Sequence, residues 1–325
     1  MSDEEWEIPA QLQPVPEDYD FDLDGALRAV VGVKSLVPPD AYTAGTLGTE
    51  RAGSGVVIDS ASGLVLTIGY LITEAETIWL TSVDGRAVPG HALAVDQESG
   101  FGLVQPLGRL DLPALRLGES GNAGLGAPVV LAAGGGRAHA IETRIVGRQE
   151  FAGYWEYLLE EAIFTAPAHP FWAGAALIGA DGRLLGTGSL ILQQGDARGR
   201  RMDMNMVVPV QHLAPILNDL LTIGGTRRPP RPWLGLYATE ADEAIVVGGL
   251  ANGGPAERAG VRAGDRILAV GEDRVTDLAG LWRRVWASGA PGAAISLRLQ
   301  RDDATVGVTV TSADRRGFLK APRLH

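Results

Sequence analysis

Cysteine is absent from the 325-residue sequence. That excludes disulfides, thiolate nucleophiles and zinc-thiolate centres, and leaves the compartment open on this count. Histidine is scarce: five in all, none before His91. Aspartate is missing from 97 to 110, and serine between Ser120 and Ser189. No apolar run reaches the roughly 20 residues that a membrane-spanning helix needs. The opening MSDEEWEIP has neither the basic segment nor the apolar core of a secretory leader, so a soluble, cytoplasmic protein without a membrane partner is expected. Asp96, Glu98, Glu160 and Glu161 have no histidine cluster beside them and are read as solvated turns and strand edges, so no metal or other cofactor is expected. The GGGR run at 134–137 lacks the frame of a phosphate loop and is read as a flexible turn.

What is present is charge of one sign in one place. The formal net charge is −11, yet residues 1–24 hold nine acids and no base, so the remainder is close to neutral. No basic face for nucleic acid follows from such a balance. With Pro9, Pro14 and Pro16, residues 1–24 are expected to be a disordered acidic arm, although Trp6, Tyr19 and Phe21 are residues that dock.

From Gly25 onward, short runs rich in Val, Leu and Ile, bounded by glycine, proline or Asp-Gly, predict a mainly β protein. Six runs lie at 30–37, 53–60, 63–72, 77–82, 87–96 and 102–107; seven more lie at 114–118, 128–134, 141–148, 157–165, 175–180, 184–192 and 204–210. That is material for two barrels in a domain over 25–223. The period then changes. Leu213, Ile216, Leu217, Leu220 and Leu221 share one helical stripe within 211–225, which Gly224-Gly225 ends. A basic, proline-rich linker, 224–232, precedes a second domain at 233–314 and a basic tail at 315–325, read as a solvated end.

The stretch TAPAHPFWAGAALIGADGRLLG, 165–186, resembles the nucleophile loop of the HtrA (DegP/DegQ) branch of trypsin-like serine proteases, which runs T-D-A-x-x-N-P-G-N-S-G-G-P-L. Pro170, Gly174 and Leu177 fall on that pattern, and the serine position is Ala173. The resemblance extends over about 30–222. GSGVVI (53–58) and LVLT (64–67) are similar to the strands before the family's histidine, whose place is taken by Tyr70; VDQESGFGLVQ (95–105) puts Gly100 at the orienting aspartate. LRLGES (115–120), PVVLAAGG (128–135) and MNMVVPV (204–210) match further family strands. The resemblance therefore implies a double six-stranded β-barrel with no catalytic residue at its three triad positions, Tyr70, Gly100 and Ala173. It also implies an altered oxyanion loop, where Phe171 replaces the glycine that donates a backbone N–H and Trp172 follows it. A hydroxyl, an imidazole and a carboxylate each do a separate job in acyl transfer, and a phenol titrating near pH ~10 is a poor base at neutral pH.

Other nucleophiles and bases are weaker candidates. Ser189 in GTGSLIL is read as a structural strand serine with no placed base, Ser54 as part of a strand start, and His169 as a hydrogen-bonder of its loop.

Residues 233–314 resemble a PDZ domain of the HtrA type, an α+β fold around a small, partly open barrel. GGPAERAGVRAGDRILAVGEDRV, 253–275, carries the resemblance, with a short helix at 255–259 and a strand at 266–270. WLGL, Trp233, Leu234, Gly235 and Leu236, matches the loop whose consecutive N–H groups hold a peptide's terminal carboxylate. Asp277 is placed to cap a helix at 278–288, with Leu278, Leu281 and Val285 lining an apolar pocket with Leu236, and 295–310 closes the unit as a hairpin. The implied function is binding of a peptide or protein C-terminus by a catalytically inactive HtrA-like scaffold, acting as adaptor or regulator in protein quality control. The implied assembly is a homo-oligomer, a trimer by family resemblance, or a hetero-oligomer with an active HtrA protease. An active serine endopeptidase with a non-standard nucleophile is the alternative.

Overall fold

The computed structural model describes residues 7–195, 201–241 and 244–320. The chain divides into two units: Met1–Gln149, Glu161–Thr226 and Lys320–His325 form the first, Glu150–Glu160 and Arg227–Leu319 the second.

The first unit is built on two closed antiparallel barrels. Strands β1 (Val30–Leu36), β2 (Glu50–Asp59), β3 (Leu64–Ile68), β4 (Thr77–Thr81), β5 (Ala87–Val95) and β6 (Phe101–Pro106) close in the order β1-β2-β3-β6-β5-β4. Strands β7 (Pro128–Ala132), β8 (Ala140–Gly153), β9 (Tyr157–Ala166), β10 (Ala176–Ile178), β11 (Leu184–Gly195) and β12 (Arg201–Pro209) close in the order β10-β11-β12-β9-β8-β7. Closure leaves no edge strand, and branched side chains of the strands are buried: Val56, Val65, Leu66 and Leu103 in one barrel, Leu131, Ile163, Leu177 and Val207 in the other. Each fully buried side chain of this size contributes about 1.5–3 kcal/mol.

Several expectations need correction. The run 114–118 is not a barrel strand: it makes a single bridge, Leu117 to Leu184. The run 63–72 stops being a strand at Ile68, and Gly69–Leu71 is a 3-10 turn. The helical stripe 211–225 is broken because Pro215 has no N–H to donate and disfavours helix in the residue before it. Helix α1 occupies Leu23–Arg28, α2 Ala44–Leu47, and α3 only Leu217–Ile223, ended by Gly224 in the left-handed conformation. Leu213, Ile216 and Leu220 are buried, whereas Leu221 is exposed.

Residues 7–24 are not a disordered arm. Ile8 packs into the core around Val129 and Leu177, its N–H donates to the Ala138 carbonyl, and Arg137 clasps Asp24. Asp22 caps α1 by accepting from Gly25 N–H. An apolar anchor thus outweighs the acidic composition; Trp6 lies outside the described residues. Asp96 is buried, not solvated, and accepts from the N–H and hydroxyl of Ser99. Glu161 is held below the usual carboxylate range, chiefly by hydrogen bonds from Arg148 and Gln211.

The second unit is a sheet with the order β13-β14-β15-β17-β18, from strands β13 (Leu236–Ala241), β14 (Ala244–Leu250), β15 (Arg266–Val270), β16 (Asp273–Arg274, paired with β15), β17 (Ala294–Arg301) and β18 (Ala304–Thr311). Helix α4 spans Pro255–Arg258 and α5 Leu278–Ala287. Asp277 starts α5 by accepting from Gly280 N–H at 2.6 Å, and Leu278, Leu281, Trp282 and Val285 make its buried stripe. In the tail, a 3-10 turn at Arg315–Phe318 sets Phe318 edge-on to Trp233, with ring centroids 4.9 Å apart.

Candidate functional site

The loop from Pro170 to Gly174 is pressed against the start of β2. Ser54 N–H donates to the Ala173 carbonyl at 2.7 Å, and Gly174 N–H to the Gly188 carbonyl at 2.9 Å. Gly174 has φ +74, and a Cβ there would lie 1.8 Å from the Ser54 carbonyl oxygen, so only glycine fits. Gly53 is similarly required, because its Cβ would lie 2.5 Å from the Ala173 carbonyl.

The three positions that the resemblance assigns to a triad are brought to one locus. Gly69 N–H donates to the Gly100 carbonyl at 2.7 Å, which ties Gly100 to the turn carrying Tyr70. Tyr70 is hydrogen-bonded to Trp172, the neighbour of Ala173, and its hydroxyl donates to the Ser189 carbonyl at 2.8 Å. Burial pushes the phenol far above its ordinary range, with the Trp172 contact opposing weakly. A phenol in that state neither takes nor gives a proton at neutral pH. Buried Arg51 holds the turn from below, donating to the carbonyls of Tyr70 (2.7 Å) and Thr73 (2.9 Å) and to the Thr43 hydroxyl (2.8 Å).

His169 is fully buried and spends both ring nitrogens. Its Nδ1 accepts from Phe171 N–H at 2.9 Å, so Nε2 carries the proton and donates to the His139 carbonyl at 3.0 Å. Asn205 pins the same residue by accepting from His169 N–H (2.7 Å) and donating to its carbonyl (3.1 Å). Burial lowers the imidazole to about 4, against a smaller opposing effect of the His139 carbonyl, so the ring is neutral at pH 7. The N–H of Phe171, at the place expected to serve an oxyanion, is thereby already committed. The other serine candidates are structural in their contacts. Ser54 Oγ accepts from Gly134 N–H, and Ser189 is buried with its carbonyl on Tyr70.

In the second unit, the loop Trp233–Leu236 aims three consecutive backbone N–H groups at one point. Leu234 (3.1 Å), Gly235 (2.6 Å) and Leu236 (2.9 Å) all donate to the side-chain carboxylate of Glu156. Gly235, with φ +78, gives the loop the bend that turns successive N–H groups inward. Trp233 fixes the other end by exchanging two backbone hydrogen bonds with Ala313. Leu234, Leu236, Leu278, Leu281 and Val285 are all buried in the core of this unit. Glu156 is absent from the sequence-based candidates. Its one signal is its place in Tyr-Trp-Glu-Tyr, an acid among aromatics between two apolar runs.

The sequence matches the family model of trypsin-like peptidase domains over residues 53–186 and that of PDZ domains over 232–311. A putative serine protease HhoA of Synechocystis is 30% identical over 292 residues, covering 81% of this chain and 71% of that protein. The periplasmic pH-dependent serine endoprotease DegQ of Escherichia coli is 27% identical over 277 residues, 81% of this chain and 59% of that one. The serine protease PepD of Mycobacterium tuberculosis is 28% identical over 293 residues, 82% and 62%. The chain thus spans less than two thirds of the latter two. Among solved structures, the HtrA-type protease AlgW with a decapeptide superposes with a TM-score of 0.52 at 21% identity over 93% of this chain and 98% of its own. A serine endoprotease from Yersinia pestis gives 0.50 at 22% identity over 89% and 95%. At these identities the structural likeness bears on the fold alone.

Proposed function

Because the chain belongs to the HtrA/DegP family of trypsin-like serine proteases that carry a PDZ domain, we propose that it is a member whose barrel pair has lost peptide-bond hydrolysis and whose remaining function is to bind peptides. The observation that carries this reading is the locus around Ala173. A methyl group stands at the nucleophile position, a buried phenol at that of the base, a glycine at that of the carboxylate, and the oxyanion-side N–H of Phe171 is bonded to His169. Losing a nucleophile or base costs about 10⁶ in turnover, and the remaining rate depends on the oxyanion donors.

Peptide capture is proposed for the loop Trp233–Leu236 with β13 and α5. Three convergent N–H groups suit a terminal carboxylate, and β13, the end strand of its sheet, suits an added strand. The protein would serve as an adaptor, or as the inactive partner of an active HtrA protease in homo- or hetero-oligomers. No described helix is long and apolar enough to cross a membrane, which says nothing of a β-barrel. DegQ and the DegP-like relatives are named periplasmic, so the cytoplasmic expectation is not carried into this proposal.

The relatives' names favour a second reading, an active serine endopeptidase using another nucleophile. Fluorophosphonate labelling of the purified chain, run beside digestion of an unfolded protein substrate, separates the two. Absence of both signals is expected; stoichiometric labelling of one serine, with digestion abolished by mutating it, would establish the second.

A further inference from the structure

The carboxylate loop of the second unit is already filled. Its occupant is the tip of the hairpin Glu150–Glu160, which belongs to the same unit and continues strands β8 and β9. Glu156 adopts φ +59, a left-handed conformation that is uncommon outside glycine, and its carboxylate takes the three N–H groups of Leu234, Gly235 and Leu236. The residue is half-buried along its length, and the loop encloses its carboxylate.

The contact continues as an added strand would. Two residues beyond Leu236, Ala238 N–H donates to the carbonyl of Tyr154, two residues before Glu156, at 2.9 Å. The matching steps in opposite directions give an antiparallel register between the hairpin and β13. One residue further back, the Gly153 carbonyl accepts from the buried indole N–H of Trp282 on α5 at 2.9 Å. Ala152 packs on the core of the unit, and Glu150 pairs with Arg283 on α5. The segment therefore lies between β13 and α5, the two walls of a peptide groove, with an acid group seated at the closed end.

This inference rests on the peptide-binding reading above and deepens it. We propose that the hairpin Glu150–Glu160 is an internal ligand of the PDZ groove, Glu156 imitating a peptide's terminal carboxylate, so that an external C-terminus binds only by displacing it. Two carboxylates cannot share three N–H donors, so occupancy by the hairpin and by a peptide is mutually exclusive. Burial pushes Glu156 up to about 7, with the three N–H groups and then the guanidinium of Arg315 opposing. The acid is therefore not held in the loop as a fixed charge. A strongly paired buried carboxylate would be driven well below its ordinary range, and it would be correspondingly hard to release.

The probe is a labelled synthetic peptide of residues 148–155 with a free terminal carboxylate, against the same peptide amidated, titrated into the full chain and into Glu156→Ala and Glu156→Gln. The expected result is binding at least about tenfold tighter to Glu156→Ala than to the native chain, an intermediate gain for Glu156→Gln, and loss of binding on amidation. Hydrogen exchange at Leu234–Leu236 is read in parallel: the amides become fast in Glu156→Ala and slow again with the free-acid peptide. Equal, carboxylate-dependent affinity for the native chain and both variants overturns the internal-ligand inference and leaves peptide binding standing. Binding to none of the three, with the loop amides accessible in Glu156→Ala, overturns the peptide-binding reading and the inference with it. Should Glu156→Ala fail to fold, Glu156→Gln and the native chain carry the same comparison.

Discussion

In each unit a side chain of the protein itself accepts from backbone N–H groups of a turn, one in the first unit and three in the second. In the first unit His169, two residues away, accepts from Phe171. In the second, Glu156, separated by 78 to 80 residues, accepts from Leu234, Gly235 and Leu236. The occupants differ in kind. His169 is a neutral, fully buried ring with both nitrogens used and Asn205 clamped on its backbone, so its removal would require the loop to refold. Glu156 is presented on a hairpin that meets the groove through one carboxylate, two carbonyls, the packing of Ala152 and an ion pair. Under the two proposals above, self-occupancy closes the first site and regulates the second.

The largest effect that would test this contrast is steric. Gly174→Ala puts a Cβ 1.8 Å from the Ser54 carbonyl at φ +74, whereas Gly235→Ala, at φ +78, meets only Ala251 and the Trp233 ring at 3.2–3.3 Å. Overpacking against backbone, added to left-handed strain, should cost at least about 3 kcal/mol at Gly174, and about 1–2 kcal/mol at Gly235. Denaturant unfolding of the two full-length variants measures both. Equal losses would mean that the protease-like loop is no more rigidly set than the carboxylate loop.

A smaller effect concerns pH, and its sign differs between the two sites. His169 titrates lower in the fold, about 4 against 6.5, because of burial; its contribution is complete above the ordinary value and is lost as the pH falls towards 4. Glu156 titrates higher, about 7 against 4.5, again mainly through burial, with Arg315 the charged group facing it. Its contribution is complete below the ordinary value and is lost as the pH rises through 7. Hydrogen exchange corrected for intrinsic rates should show protection rising with pH at Phe171 and falling at Leu234–Leu236, by at most about tenfold per pH unit. Parallel slopes would contradict the assignment of one of the two occupants. The smallest effect is expected from Ala173→Ser. A hydroxyl restored beside a buried phenol has no base, so digestion of an unfolded protein should stay at background and stability should change by under about 1 kcal/mol. Restored turnover would break the proposal that the barrel pair is inactive.

Much of the architecture was legible because its signals are local. Short Val, Leu and Ile runs between glycines marked all twelve barrel strands closely enough to place, and the block from Gly253 to Val275 placed α4 and β15. Asp277 was legible as a cap for the same reason: its partner is Gly280, three residues on. Residues 7–24 misled because composition weighs every acid and proline alike. One anchored side chain, Ile8, decides that segment, and its partners lie beyond residue 120. Arg51 was illegible for a related reason: a lone arginine on a strand reads as exposed, and only the carbonyls of Tyr70 and Thr73 folding over it make it buried.

By itself the sequence determined the chemical inventory: no thiol, no histidine, aspartate or serine where a triad would need them, and the WLGL stretch with its bend at Gly235. Those are properties of residues and close neighbours, and no folding can alter them. The tertiary structure decided which groups satisfy the exposed N–H donors. Glu156 meets Leu234–Leu236 across 78 to 80 residues of chain because a hairpin carries it there, and a hydrogen-bond partner brought over such a distance leaves no periodicity or spacing to be read.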